Sequence, residues 1–329
     1  MTAQNADFGI VVHTAGGPEK LEWTALETPA PGRGEVRIVQ KAIGVNFIDT
    51  YFRKGVYPWP TTPLIPGGEA AGIVDAVGEG VTHCKSGDRV AYVLPSGAYR
   101  TRRVVAADRL VKIPDAIDFE VAASLMLKGI TAQFLLNACY PVKAGDVVLV
   151  HAAAGGVGLL MGQWLKVLRA TAIGTAGSAE KVAMAKANGY AHVIDYRAED
   201  FASRVKEITG GKGCDVVYDS VGQDTWRGSL KCLRTRGMFV CFGQSSGMIA
   251  DFKLSDLAAG GSLYACRPTV FDFIKTREDL TSRAADLFAQ LASGAVSAHI
   301  GQRVALRDAA IAHRDLETRR TIGSTVLLA

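Results

Sequence analysis

Val147-Val148-Leu149-Val150 runs into His151-Ala152-Ala153-Ala154-Gly155-Gly156-Val157-Gly158, and a helical pattern follows to Arg169. A short apolar run, a turn of small residues and a helix start form the unit that cradles a pyrophosphate. Glycine lets the backbone approach the ligand, and the helix N-terminus supplies free N–H groups and the positive end of a dipole. In the G-x-G-x-x-G frame the three positions are Ala153, Gly155 and Gly158. Alanine replaces the first glycine, so the motif gains its weight from the strand before it and the helix after it.

Working outward, strand runs are expected at Val147–His151, Thr171–Thr175, His192–Asp195, Val216–Asp219, Met238–Phe242 and Ser262–Ala265. Helices are expected at Gly156–Arg169, Ala179–Asn188, Phe201–Thr209 and Thr225–Thr235, with Gly189 and Gly210 as stops. Between the fifth and sixth strands the pattern reads as a loop with at most one helical turn. Short buried strands alternating with helices specify an α/β doubly wound parallel sheet. Upstream, Val36–Val39, Ala70–Val77 and Gly87–Val93 read as strands, with Pro and Gly punctuation every ~8–12 residues, the mark of a small β-rich domain. Downstream, helices are expected at Leu280–Ser293 and Asp308–Arg319, with short apolar runs at Gly301–Leu306 and Thr325–Leu328. That tail is too small for a domain and is expected to complete the β-rich unit.

The second strand points to the ligand. An NAD site places Asp or Glu after it to bind the ribose hydroxyls. Here Thr171–Thr175 leads into Ala176-Gly177-Ser178, and the next carboxylate is Glu180, inside a helix. Lys181 and the pair Tyr196-Arg197 are close by in the pattern, which suits a 2′-phosphate. NADPH is the expected cofactor.

Bulk properties exclude several classes. The chain has 329 residues, 48% hydrophobic and 21% charged, with a net charge of +5. The cations are scattered, the densest runs being Arg100–Arg103 and Arg319-Arg320, whereas a nucleic-acid surface concentrates them. Six well-separated cysteines without a Cys-x-x-Cys pair read as free thiols of a reducing compartment. Met1–Val12 lacks a basic-then-apolar signal pattern, and the most apolar segment noted, Ala152–Leu165, is interrupted by glycines and too short to span a bilayer. A cytoplasmic protein is expected.

Further motifs carry a family signature: Gly44-Val45-Asn46-Phe47-Ile48-Asp49-Thr50-Tyr51, Gly67-Gly68-Glu69-Ala70-Ala71-Gly72, His151–Gly158, Val217-Tyr218-Asp219-Ser220-Val221-Gly222, and Phe242-Gly243 with Ser245-Ser246-Gly247. Nearly end to end, the chain resembles the zinc-independent NADPH:quinone oxidoreductases (the zeta-crystallin-like group) of the medium-chain dehydrogenase/reductase superfamily, with the bacterial quinone reductases most similar. The resemblance implies a GroES-like catalytic domain from residues 1–125 and 268–329, a Rossmann domain at 126–267, an active site in the cleft between them, and a homodimer formed through the Rossmann domains. Zinc enzymes of the superfamily carry a Cys after the Gly-Val of the first motif and a His before the Glu of the second. Asn46 and Gly68 stand there, so no metal is expected.

Matched residue by residue, Asn46 and Tyr51 are the implied catalytic pair. Tyr51 would donate to the developing oxyanion, or else be a half-buried strand or loop tyrosine; Asn46 would orient the nicotinamide or the acceptor. Asp49 also fits a helix cap. Phe47, Ile48 and Asp49 join the cofactor contacts, and Lys128 and Thr131 match the segment along the nicotinamide. Gly155, Gly156, Val157 and Gly158 would hold the pyrophosphate, and Thr175, Ser178, Lys181 and Tyr196 the adenosine phosphate. Ser220, Val221, Phe242, Gly243, Gln244 and Ser245 would hold the nicotinamide half, with Arg267 and Arg319 as late contacts; Gln244 stands where bacterial relatives often have Asn. The implied reaction is metal-free hydride transfer to a quinone or similarly activated carbonyl. An enone or enoyl-thioester reductase is the alternative on the same scaffold, and an RNA-binding or structural role, seen in some relatives, is the lower one.

Overall fold

The structure, a computed structural model, describes residues 7–329. Residues 1–6 belong to the segment inspected above for a signal and to the expected first domain, and lie outside the described residues. The chain divides into two compact units: residues up to Ile130 with Ile274–Phe288 and Ala298–Ala329, and Thr131–Phe273 with Ala289–Ser297.

The first unit opens with a two-stranded antiparallel ribbon, β1 (Asp7–Val11) and β2 (Glu22–Leu26). The long β3 (Glu35–Val45) leads into helix α1 (Phe47–Arg53), followed by β4 (Glu69–Val77), β5 (Arg89–Val93), β6 (Arg102–Ala106) and β7 (Leu110–Lys112). β3 alternates buried and half-exposed positions up to Gln40, as expected for a strand with one face on the core. Gln40 is itself buried and fully engaged: its amide donates to the carbonyls of Ala98 and Arg100, and the Tyr92 hydroxyl donates to its Oε1.

Helix α2 (Phe119–Phe134), extended by a π-turn over Leu135–Cys139, carries the chain onward to β8 (Val147–Val150). The second unit continues with α3 (Gly156–Val167), β9 (Thr171–Ala176), α4 (Ala179–Ala187), β10 (His192–Asp195), α5 (Phe201–Ile208), β11 (Cys214–Asp219), α6 (Trp226–Cys232), β12 (Leu233–Cys241), α7 (Leu254–Ala259), β13 (Tyr264–Cys266) and α8 (Val270–Phe273). The strand order is β10-β9-β8-β11-β12-β13, every pair parallel. Numbered from β8 this is 3-2-1-4-5-6, the dinucleotide-binding order, which reverses direction between β8 and β11. Its core is Leu149, Ile173, Ile194, Val217 and Phe239 against Val205, Trp226 and Leu230 from the helices.

Helix α9 (Arg277–Ala292), β14 (Ile300–Ala305), α10 (Ala309–Glu317) and β15 (Ser324–Leu328) end the chain. β15 pairs antiparallel with β3 and parallel with β14, so the tail completes the first unit's sheet, β14-β15-β3-β4-β5-β7 with β6 beside β3. Leu306, Ala309, Ala312 and Leu327 enter the same core as Ile38, Val74 and Tyr92.

Several expectations need correcting. The unit boundaries fall at 130/131 and 273/274, later than expected, and Ala289–Ser297 groups with the second unit, where the Ser297 amide donates to Gln163 Oε1 at 2.8 Å. The helix expected over Thr225–Thr235 stops at Cys232 and strand β12 begins at Leu233. The expected loop before the sixth strand contains the six-residue α7, whose Leu254 is exposed, so no amphipathic stripe announces it. Nor is Ala152–Leu165 the most membrane-like segment: Phe119–Cys139 is long and apolar enough to cross a bilayer, but 78% of that window is buried inside the protein.

Candidate active site

In the second unit, the turn after β8 is shaped by contacts only small residues allow. Ala152 adopts φ +54, and Gly155 Nα bonds back to its carbonyl at 2.9 Å. A Cβ on Gly158 would collide with the carbonyl oxygens of Ala152 and Ala153. A Cβ on Gly155 would meet only the Ala152 oxygen, at 3.2 Å, so its outer face is open. Ala153 is accepted at the frame's first position because β9 presents Gly174 to it; a Cβ there would lie 2.6 Å from that of Ala153. Helix α3 has Gly155 as N-cap and no side-chain cap, leaving the N–H groups of its first turn to a ligand.

The turn rests on a buried polar core. His151 Nδ1 and Thr175 Oγ1 are 2.9 Å apart, and Nε2 is 2.9 Å from Ser229 Oγ. Ser229 donates to Asp219 Oδ2 at 2.8 Å, while Asp219 Oδ1 accepts from the amides of Val221 and Gly222. Burial holds His151 below its ordinary pKa, against the attraction of Asp219. One carboxylate at the end of β11 thereby anchors both the phosphate turn and the Ser220-Val221 loop.

Ser178 caps α4 by accepting from the Lys181 amide at 3.3 Å. Lys181 is half-buried, and Tyr196 is exposed with its ring over Gly177. No acidic side chain intervenes between β9 and Glu180. On the far half of the sheet, Ser245 and Ser246 amides bond to the carbonyls of Ser220 and Val221, and a Cβ on Gly243 would lie 2.6 Å from the Ser220 oxygen. Arg267, one residue past β13, donates to Gln244 Oε1 at 3.4 Å. Phe242, Gly243, Gln244 and Ser245 thus form one layer with Ser220 and Val221.

In the first unit a second polar cluster surrounds the start of α1. Asn46 is its N-cap, and its amide N–H donates to Asp49 Oδ2 at 2.8 Å. Asn46 Nδ2 donates to Glu69 Oε1 (2.8 Å), as does Lys128 Nζ (2.7 Å), and the Leu127 amide donates to Oε2 (2.6 Å). Tyr99 donates to Asp49 Oδ2 at 3.2 Å, and its hydroxyl lies 2.9 Å from His313 Nε2. Arg53 Nη1 lies 3.0 Å from His313 Nδ1 and its Nη2 donates to Glu317 Oε1 at 2.8 Å. Arginine only donates, so Nδ1 accepts, Nε2 carries the proton, and the donors run Arg53 to His313 to Tyr99 to Asp49. Burial and the two cations Arg53 and Lys54 push His313 down to about 3, so it is neutral. Burial raises Asp49 to about 7. Its Oδ1 has no hydrogen-bond partner and faces Gly68, 3.8 Å from where a Cβ would stand.

The two halves of the chain match known family models separately: residues 32–115 the alcohol dehydrogenase GroES-like domain, and residues 156–290 the zinc-binding dehydrogenase family. A quinone oxidoreductase of Pseudomonas aeruginosa is 50% identical over 314 residues, spanning 95% of this chain and 97% of that protein. The chain belongs to the quinone oxidoreductase family. The solved structure of Escherichia coli quinone oxidoreductase complexed with NADPH superposes with a TM-score of 0.95 at 46% identity, covering 98% of this chain and all of that one. A 2-haloacrylate reductase of Burkholderia is 44% identical over 326 residues, 97% of this chain and 98% of that protein.

Within this quinone oxidoreductase fold the expected site residues separate into groups. The turn residues, Ser178, Lys181, Tyr196, the two loops and Arg267 lie at the C-terminal ends of the second unit's strands, where open α/β sheets bind ligands. Thr175 is buried and bonded to His151, so it also supports the turn. Asn46, Phe47, Ile48, Asp49 and Tyr51 gather on α1 or its cap. Tyr51 is neither strand nor loop but a helix residue, its ring edge-on to Tyr57 at 5.5 Å. Asn46 is the N-cap residue, and Asp49 caps the helix start too, its carboxylate accepting from the Asn46 amide in a capping box. Lys128 and Thr131 are both buried on α2. Arg319 lies two residues past α10 in the first unit, with φ +59. Glu69, Tyr99, His313, Arg53, Asp219 and Ser229 were not anticipated. Glu69 and Asp219 lay within the quoted motifs; nothing in the sequence marks the others. Among the described residues no group of three or more His, Cys, Asp or Glu is placed to hold a metal.

Proposed function

We propose that this chain reduces quinones by hydride transfer from NADPH, without a metal. The observation that carries the reading is the open phosphate turn Gly155–Gly158 followed by a second strand with no acid at its end, on a chain of the quinone oxidoreductase family.

The residues fit the cofactor. Gly155, Gly156, Val157 and Gly158 would hold the pyrophosphate, and Ser178, Lys181 and Tyr196 the 2′-phosphate. Ser220, Val221, the 242–245 loop and Arg267 would hold the nicotinamide half, with Lys128, Thr131, Phe47, Ile48 and Arg319 as the further contacts the family implies. NADPH, when bound, supplies the hydride. The chain supplies position, exclusion of water and a proton.

With Asn46 and Gly68 at the positions where zinc enzymes carry ligands, nothing polarises a simple ketone. A quinone needs less: its developing oxyanion requires a hydrogen-bond donor and then a proton. Tyr51 is the donor in this reading, and Asn46, held by Glu69, orients the reacting group. Asp49, partly protonated at neutral pH, holds a proton at Oδ1 that replaces the one consumed by the reduced quinone. A homodimer through the second unit also fits, since β13 is an edge strand with Tyr264 exposed. Free thiols suit a cytoplasmic setting.

The likeness to a 2-haloacrylate reductase favours a second reading, reduction of an activated C=C bond. Initial rates of NADPH oxidation with 1,4-benzoquinone, 1,4-naphthoquinone, an alkyl vinyl ketone and 2-chloroacrylate separate the two. Quinones are expected to lead by tenfold or more in kcat/KM; the reverse order would replace the first reading with the second.

A further inference from the structure

The Sγ atoms of Cys139 and Cys266 lie 3.3 Å apart, in contact, although the residues are 127 positions apart. Cys139 closes the π-turn after α2, and Cys266 closes β13, paired there with Val240. The π-turn is held in place by Tyr218, whose hydroxyl donates to the carbonyls of Leu135 and, more weakly, Tyr140. Both cysteines are partly exposed, whereas Cys84, Cys214, Cys232 and Cys241 are buried. The phosphate turn and the nicotinamide loops make no use of either thiol.

We propose that Cys139 and Cys266 are a redox-active pair, oxidised to an intrachain disulfide by hydrogen peroxide. A disulfide has an S–S bond of about 2.05 Å, so closure asks the sulfurs to approach by roughly 1.2 Å, within side-chain rotation. The two thiols are not equivalent. Either sulfur can donate to the other; in the arrangement with Cys139 as donor, its S–H lowers the pKa of Cys266 and its own is raised. In that arrangement Cys266 reacts first: its thiolate attacks a peroxide oxygen, the O–O bond breaks, and Cys266 becomes a sulfenic acid; the leaving hydroxide takes up the proton that Cys266 lost. The Cys139 sulfur then attacks the Cys266 sulfur; the S–S bond forms, the S–O bond breaks, and the departing hydroxide takes the Cys139 proton as water. Two thiols and one peroxide give one disulfide and two waters. The bond would enclose nearly all of the second unit in one long loop, which restricts its unfolded ensemble.

The test is treatment of the intact protein with a small excess of hydrogen peroxide, then tryptic mapping without reduction. Peptide 129–143 should appear linked to peptide 254–275, on a chain that still runs as a monomer on denaturing gels, with the melting temperature raised by several degrees and restored by dithiothreitol. In Cys139→Ser, dimedone should trap a sulfenic acid at Cys266; in Cys266→Ser, Cys139 should stay unlabelled. Absence of the linked peptide from the oxidised wild-type protein, linkage of either cysteine to another one, or a linkage between two chains would overturn the proposal.

Discussion

Lys128 Nζ lies 2.7 Å from Oε1 of Glu69, and both side chains are buried. The carboxylate has two further donors, Asn46 on the same oxygen and the Leu127 amide on the other. Removing one charge of such a pair strands the other away from water. Glu69→Gln is expected to cost about 3–5 kcal/mol, and urea melts of the variant beside wild type check it. A loss below about 1 kcal/mol would mean that Lys128 reaches solvent by itself.

Asp49 is raised to about 7 by burial, so at neutral pH it is partly protonated. If its proton is used, turnover falls as pH rises through about 7, because the acid form is lost. Asp49→Asn keeps an acceptor for Asn46 and Tyr99 but has no proton to give, and should lower kcat about tenfold or more while flattening that limb. The linkage to folding has the same direction. The folded state binds this proton more tightly than the unfolded chain, so the group's contribution to stability is full below about 4 and is lost as pH rises to about 7.

His313 behaves oppositely. Its pKa falls from 6.5 to about 3 in the fold, so it contributes stability above pH 6.5 that is lost as pH falls toward 3. Glutamine can accept from Arg53 and donate to Tyr99 without titrating. Melting temperatures of His313→Gln between pH 7 and pH 4 should therefore decline less steeply than those of wild type, and parallel curves would remove His313 from the acid response.

The two outer glycines of the phosphate turn should separate binding from folding. Gly158→Ala drives a methyl group into the Ala152 and Ala153 carbonyls and is expected to destabilise the unit by about 1–3 kcal/mol. Gly155→Ala meets only one oxygen at 3.2 Å and should fold nearly normally, yet its methyl occupies the face a pyrophosphate needs. Thermal melts and NADPH titrations of both variants check this: Gly155→Ala should keep its melting temperature within a few degrees and lose about tenfold or more in affinity.

The parallel sheet was legible because its strands are buried on both faces and read as continuous apolar runs, such as Val147–Val150 and Val216–Tyr218. β12 was clipped because Arg234-Thr235-Arg236 continues a helical polarity, and only Arg236 at φ +59 and the following Gly237 show the chain has already turned. The glycine turn was legible as local sequence: Gly158 answers a steric demand of the Ala152 and Ala153 carbonyls, and Gly155 leaves its outer face open. The cluster around α1 was not. Asp49, Tyr99 and His313 meet from positions 50 and 214 residues apart, and no local spacing encodes that meeting. The contact of Thr175 was hidden for a related reason: its partner His151 reaches it across the sheet from the neighbouring strand.

The central claim is that the chain uses a 2′-phosphorylated nicotinamide to reduce a quinone. Its most direct test is the steady-state oxidation of NADPH and of NADH at 340 nm with 1,4-benzoquinone, in the presence of a strong chelator. Rapid, chelator-insensitive turnover with kcat/KM at least tenfold higher for NADPH is the predicted result; equal or greater efficiency with NADH, or no quinone-dependent turnover, would contradict it.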